Sequence, residues 1–503
     1  MQDVETRVAP DTRGAQAIPP APRVFQLAFL PISLAVLIPC FWQKRIQAGD
    51  LSSHIYNAWL AVLIEQGRAD GLTLVRQAHN VLFDILLSGL LRAFGPGPAQ
   101  RIAVSAAVLI FFWGAFAFVW TQSRRSRREP PWVWMPCLAM LAYGWVFHMG
   151  LFNFYLSLGL VFWALSAEPW RSRRRLFIAA ALLIPAYLAH PLPVAWAIAT
   201  TVYLAVARML QPRLRPVLLA TGITLLALAA ALLKVLLHAQ WAPGPNLAFT
   251  GADQLWVFGD RYLVLAAAML ILWIFCFPRL AAKLGLRRVS LDVRLHLCVL
   301  NAAGVLLLPS IVVLPASGQA ESLLIGRMSL AGAVLFCALA ASVTQPTWLA
   351  AGMAAAAAVF FVFIYQDTGA LNRVEDRMEQ AVAQLPSGQR VVSALVDTNL
   401  REFALLHLVD RVCIGRCFSY ANYEPSVGQF RVRVLRPNAI VTNDFHDSWT
   451  MQVGGYVVKP RDVPLYRIDL CGAAQRELCA SPVAAGIALE RRWLHVTPDL
   501  WKQ

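Results

Sequence analysis

Eleven apolar stretches, each long enough to approach the roughly 30 Å hydrocarbon core of a bilayer, lie near residues 24–42, 102–120, 132–149, 151–167, 176–190, 192–208, 217–237, 263–278, 295–314, 328–344 and 347–366. Their number leaves few folds open, because water cannot solvate them and no single soluble core could hold them all. The chain of 503 residues is 58% hydrophobic and 14% charged, against roughly 45–50% and 25% in soluble domains. We therefore expect a polytopic α-helical membrane protein with about eleven transmembrane helices, followed by a soluble C-terminal α/β domain.

The arginines orient it. Of the net charge of +16, nearly all belongs to residues 1–366, which hold 28 Lys/Arg against 13 Asp/Glu, whereas residues 367–503 hold 16 against 15. Nucleic-acid binding does not follow from this excess, because the arginines stand in short clusters between apolar runs, where the bias of Lys/Arg toward the cytoplasmic face explains them. With a cytoplasmic N-terminus, Arg124, Arg125, Arg127 and Arg128, then Arg171, Arg173, Arg174 and Arg175, then Arg213 and Arg215, then Arg279, Lys283, Arg287, Arg288 and Arg294 all fall inside. The short outer loops keep little beyond Arg261 and Arg327. This predicts a multi-pass protein of the inner (plasma) membrane whose C-terminal domain, 367–503, is periplasmic or extracytoplasmic.

Residues 1–23 read as a flexible cytoplasmic leader, and no small-residue cleavage pattern follows the first run, which is therefore an anchor. Pro39 before Cys40 breaks the lipoprotein pattern, so Cys40 reads as a buried membrane cysteine. Residues 24–366 form the transmembrane domain, with a long outer loop at 43–101. Within that loop residues 79–94 are apolar but short and contain Asp84, and a crossing there would invert every later loop. Residues 51–63 set Leu51, Ile55, Trp59, Val62 and Leu63 opposite Ser52, Ser53 and Asn57. Both are expected to be interfacial helices lying along the membrane.

The C-terminal domain is predicted to open with a helix over Leu371–Gln384, turn at Pro386-Ser387-Gly388 and continue in β-rich runs RVVSALV, FRVRVL, AIVTND and YVVKP. Cys413, Cys417, Cys471 and Cys479 are disulfide candidates in an oxidising compartment, with connectivity left open. No His/Cys partners stand at zinc spacing beside Cys413 and Cys417.

The stretch Gln47-Ala48-Gly49-Asp50 leads into Leu51-Ser52-Ser53-His54-Ile55-Tyr56-Asn57-Ala58-Trp59 and puts a carboxylate at the outer interface. One reading makes Asp50 an N-cap contributing about 1 kcal/mol. The other is catalytic. The order of membrane helix, Asp50 with its SSHIYNAWL helix, then NVLFDILLSGLLRAFGPGPAQRIAVSAAVLIFFW resembles the GT-C glycosyltransferases, polytopic enzymes using lipid-phosphate-linked sugars. Gly95, Ala99 and Arg101 keep that family's spacing, although many members carry an acidic pair where this chain has Gly49-Asp50. The resemblance implies that Asp50 is a general base, that the donor is a polyprenyl-phosphate sugar, and that a soluble domain follows the helical body. The acceptor, whether glycan, lipid or protein, is not specified.

Such chemistry needs a carboxylate to take a hydroxyl proton and cations to hold the departing phosphate. Candidates at outer helix ends are His54, Arg76, His79, His148, Asn153, His190, Lys234, His238, Arg261 and Arg327. Of these, His54, Arg76, His148, His190, Arg261 and Arg327 are taken as substrate-binding, contacting lipid phosphate or sugar. No cofactor is called for, and use of a divalent metal stays open. The alternative is a non-catalytic membrane protein, either a transporter of lipid-linked glycan or an envelope scaffold whose outer domain binds glycan. A transporter would show internal repeats and broken midplane helices, and no repeat is visible. A polymerase or ligase would place its large outer segment between late helices, whereas here it is terminal.

Overall fold

Helix makes up most of each of the eleven apolar runs in the computed structural model, which describes residues 23–124, 129–241, 247–313, 320–397, 400–401, 403–472, 477–494 and 496. The expected leader, apart from Arg23, and Arg125, Arg127 and Arg128 lie outside the described residues. In chain order the helices are α1 (Arg23–Leu37), α2 (Leu51–Glu65), α3 (Leu82–Phe94), α4 (Pro96–Ser123), α5 (Met135–Ala142), α6 (Trp145–His148), α7 (Phe152–Ser166) and α8 (Arg173–Ala189). Then come α9 (Pro191–Met209), α10 (Arg215–Leu236), α11 (Arg261–Ile274), α12 (Cys276–Leu284), α13 (Leu286–Ser290), α14 (Val293–Leu307), α15 (Leu324–Ala340) and α16 (Thr347–Ala383). Among the described residues, five stretches are long and apolar enough to cross a membrane: 96–123, 191–209, 212–236, 261–284 and 347–383. Gln26–Cys40, Val293–Leu307 and Leu324–Ala340 are shorter apolar helices. Together they fit a membrane-embedded multi-pass protein. On α10 no side chain is buried, and Leu225, Leu228 and Leu232 stand 60%, 60% and 56% exposed. Such a surface is costly in water and stable in lipid.

The run 132–149 is not one helix but breaks between α5 and α6. A polar side chain stabilises the break: Gln254 Oε1 accepts from Val146 N at 3.2 Å, so a freed amide keeps a partner. At the crossing of α4 and α7 the backbones touch, since a Cβ on Gly159 would meet Phe111 Cα at 2.8 Å. Small residues allow that approach.

The loop at 43–101 differs from its expectation. Helix α2 does not lie on a surface: Leu51, Ile55 and Leu60 are buried, and so are Ser53, Asn57 and most of His54. What covers the polar face is the C-terminal part of the chain. Tyr56 Oη accepts from Ser419 N at 2.9 Å, and Asn57 Oδ1 accepts from Asn422 Nδ2 at 2.8 Å. Strand Leu72–Leu74 of the loop pairs antiparallel with Val432–Val434, Thr73 facing Arg433. Helix α3 buries Phe83, Leu87 and Leu91 but exposes Ile85, Leu86 and Phe94, and at 13 residues spans only about 20 Å.

The expected boundary at 366/367 falls inside α16, and one hydrophobic core runs unbroken from the membrane helices into the C-terminal residues. There a four-stranded sheet runs in the order Glu477–Val483, Leu465–Cys471, Arg390–Ser393, Phe418–Ser419, antiparallel at the first pair and parallel at the others. The expected strand in AIVTND (439–444) is instead an irregular bend, and FRVRVL joins the 43–101 loop rather than this sheet. Short helices α17 (Leu408–Val412), α18 (Tyr423–Val427) and α19 (Phe445–Val453) pack alongside. Two disulfides are present, Cys413–Cys417 and Cys471–Cys479. Arg401 clamps the domain down by donating to the Asp253 and Trp256 carbonyls, both at 2.6 Å, between the rings of Trp145 and Trp256.

Candidate functional site

Asp50 is presented by a strap pressed against the turn after α6. Gly49 N donates to His148 O at 2.6 Å and Asp50 N to Met149 O at 3.1 Å. A side chain at position 49 would meet Met149 O at 2.8 Å, so the strap has room for one carboxylate and not for an acidic pair. Although Asp50 immediately precedes α2, its side chain makes no capping hydrogen bond. It is 27% exposed and lines a cavity of about 560 Å³.

Three polar groups converge on that cavity. In the first, His407 Nε2 lies 3.4 Å from Asp50 Oδ1 while its Nδ1 lies 3.1 Å from Asp410 Oδ2, and Asp410 is held by Ser419 Oγ. Burial opposes charge on this imidazole, but Asp410, Asp50 and Glu424 outweigh it and raise the His407 pKa above its ordinary value. In the second, His54 Nδ1 lies 2.7 Å from Asp84 Oδ1, and Asn153 Nδ2 donates to Asp84 Oδ2 at 2.8 Å. Burial again opposes the cation, yet Asp84, by charge and hydrogen bond, brings the His54 pKa up to about 9 and holds its own carboxyl below the usual range. His54 is therefore a fixed cation at neutral pH. Nearby, burial lifts the Glu424 carboxyl to about 7, and Ser53 Oγ donates to it at 3.1 Å.

The third group is Arg327 with His190 and Glu321. Arg327 Nη1 lies 2.8 Å from His190 Nε2 and 3.5 Å from Glu321 Oε2, while the Arg327 Nε has no partner among the described residues. His190 also caps α9, its Nδ1 accepting from Leu192 N at 3.2 Å. Glu321 reaches the cavity from a small antiparallel sheet of His238–Gln240, Ile311–Val313 and Ala320–Glu321 that joins the ends of α10 and α14. Phe154, Phe403, Tyr423, Phe430 and Trp449 supply aromatic walls.

Asp50, His54, His190 and Arg327 thus meet at one cavity, joined by His79 and Asn153. Three expected ligands do not. Arg76 is exposed and does not line the cavity. His148 is buried behind the strap with Nδ1 3.1 Å from Gln47 O. Arg261 does not line the cavity: it forms a buried ion pair with Asp367 and stacks over Phe363 at 4.5 Å. Lys234 lies on the exposed surface of α10, and the side chain of His238 lies outside the described residues. Sequence reasoning missed His407, Asp410 and Glu321, which carry no motif. Asp84 did leave a signal, a lone carboxylate in an apolar helix.

Among the described residues no group of three His, Cys, Asp or Glu side chains is arranged to hold a metal ion. Chemically, the cavity offers two part-exposed carboxylates, Asp50 backed by the His407 imidazole and Glu321 beside His190 and Arg327, together with the cationic positions His54 and Arg327 and aromatic walls. Comparison with family models, with curated proteins and with solved structures returned no match.

Proposed function

We propose that this cavity transfers a sugar from a polyprenyl-phosphate donor to a hydroxyl acceptor, in the manner of the GT-C glycosyltransferases. The observation that carries the reading is Asp50: a carboxylate released from helix capping and turned into a cavity of about 560 Å³ beside Arg327 and His54. The acceptor hydroxyl attacks the anomeric carbon as its proton passes to Asp50. The bond from that carbon to the phosphate oxygen breaks, and the electron pair leaves with the polyprenyl phosphate. Arg327 and His54 are the cations that meet the growing phosphate charge. His407, anchored by Asp410, orients the Asp50 carboxylate. The membrane arrangement belongs to the same proposal: eleven spans, a cytoplasmic N-terminus, α3 along the interface, and the cavity on the extracytoplasmic face, where a prenyl tail can stay in lipid.

The test is turnover of purified protein with a panel of short-chain polyprenyl-phosphate hexoses and pentoses. Asp50→Asn is expected to lower it by roughly 10²- to 10⁴-fold. Unchanged turnover at equal expression would remove Asp50 from the mechanism. A second reading, capture of a lipid-linked glycan without transfer, draws on the aromatic walls; under it the same donors bind to wild type and to Asp50→Asn, and neither turns over.

A further inference from the structure

The far end of α9 from His190 carries a second cavity of about 340 Å³. Nineteen residues of helix separate the two, about 28 Å, close to the thickness of the hydrocarbon core. The second cavity therefore sits at the opposite membrane face, among the arginine clusters. Arg208, Arg215, Arg288 and Arg294 line it together with Gln122 and Trp170.

Its donors outnumber its acceptors. Asp292 is the one carboxylate in the lining and is spent on Arg294, taking hydrogen bonds from the backbone N at 2.9 Å and Nε at 2.8 Å. Arg215 reaches the carbonyls of Ala207 and Leu291, both at 3.3 Å. Among the described residues Arg208 and Arg288, both exposed, have no ion pair. Gln122 is only 6% exposed, and among the described residues neither its Nε2 nor Trp170 Nε1 has a partner. The neighbouring cluster behaves otherwise: Arg124, Arg171 and Arg175 all pair with the buried Glu168. A plain charge bias toward one membrane face explains neither the cavity nor the buried unpaired amide.

Unpaired guanidinium, amide and indole N–H groups around one hollow fit an anion with several oxygens. The exposed apolar side of α10 begins beside it at Val217, 62% exposed, and offers a path for acyl chains. We propose that this cavity binds the phosphodiester headgroup of an anionic phospholipid. The proposal does not depend on the transferase reading.

Native mass spectrometry of the full chain, taken from mixed phosphatidylglycerol and phosphatidylcholine micelles, tests it. Wild type is expected to retain phosphatidylglycerol in preference to phosphatidylcholine. Arg208→Gln/Arg288→Gln should weaken that retention roughly ten- to thirty-fold, and Trp170→Phe, which keeps the shape and removes one donor, a few-fold. Because Trp170→Phe leaves the positive-inside pattern alone, it decides the matter if the double variant fails to insert. Equal retention by the folded variants overturns the proposal. Displacement of the lipid by millimolar inorganic phosphate also overturns it, naming free phosphate as the occupant.

Discussion

Asp50 stands where a carboxylate ordinarily accepts a helix amide, yet its side chain faces His407 and the cavity instead. Loss of a working N-cap costs about 0.5–2 kcal/mol, so Asp50→Ala is expected to leave the thermal midpoint nearly unchanged while abolishing turnover; a clear fall in midpoint would restore the capping role. His54 gives a pH signature. Its pKa, raised from 6.5 to about 9 by Asp84 against burial, contributes stability that is fully present below about 6.5 and lost as pH rises through about 9. Thermal unfolding across that window should therefore show a decline that His54→Gln flattens. Arg261 is the contrary case. It looked like a phosphate ligand because an arginine at a helix end near lipid is costly unless used, and the use turned out to be Asp367, which is fully buried. Arg261→Gln strands that carboxylate and should destabilise by about 3–5 kcal/mol, seen as a lower midpoint, with donor affinity unchanged in the protein that remains folded.

At the scale of elements, α2 shows what periodicity can and cannot tell. The spacing of Leu51, Ile55 and Trp59 marks an apolar face, with Ser53 and Asn57 on the opposite side of the helix. Whether water or protein covers Ser53 and Asn57 depends on a segment far along the chain, and no local pattern encodes it. The covering contact is a buried amide pair, Asn57 with Asn422. Removing one partner leaves the other unsatisfied at about 1–3 kcal/mol; Asn57→Ala/Asn422→Ala should therefore cost less than the sum of the two single variants, measured as a double-mutant cycle on unfolding. The same limit misled the strand reading. FRVRVL and AIVTND are equally β-rich, but only Val432–Val434 finds an edge, that of Leu72–Leu74. The run at 439–444 finds none, and Asn438 Oδ1 instead accepts from the amides of Ile440 and Val441, both at 2.8 Å, in a turn.

For the whole molecule, orientation rests on parity and is open to labelling. Ser387 and Ser290 are both exposed and fall on opposite sides in the proposed topology. An impermeant maleimide should reach Ser387→Cys in intact cells and Ser290→Cys only after permeabilisation; equal labelling would sink the eleven-span count. The apolar helices and the charge asymmetry were fixed by the sequence alone, because hydropathy and arginine placement are properties of single residues and short runs. So was the candidacy of Asp50, which depends on a short stretch at the end of the first helix. The cavity was not. His407 and Asp410 at α17, Glu321 on its short strand and Arg327 on α15 arrive from separate parts of the fold, and which cations reach the cavity is decided only in three dimensions. Packing that spans hundreds of residues seats Arg261 on Asp367 and Arg327 in the cavity, and the C-terminal domain became part of the site because it covers the polar face of α2.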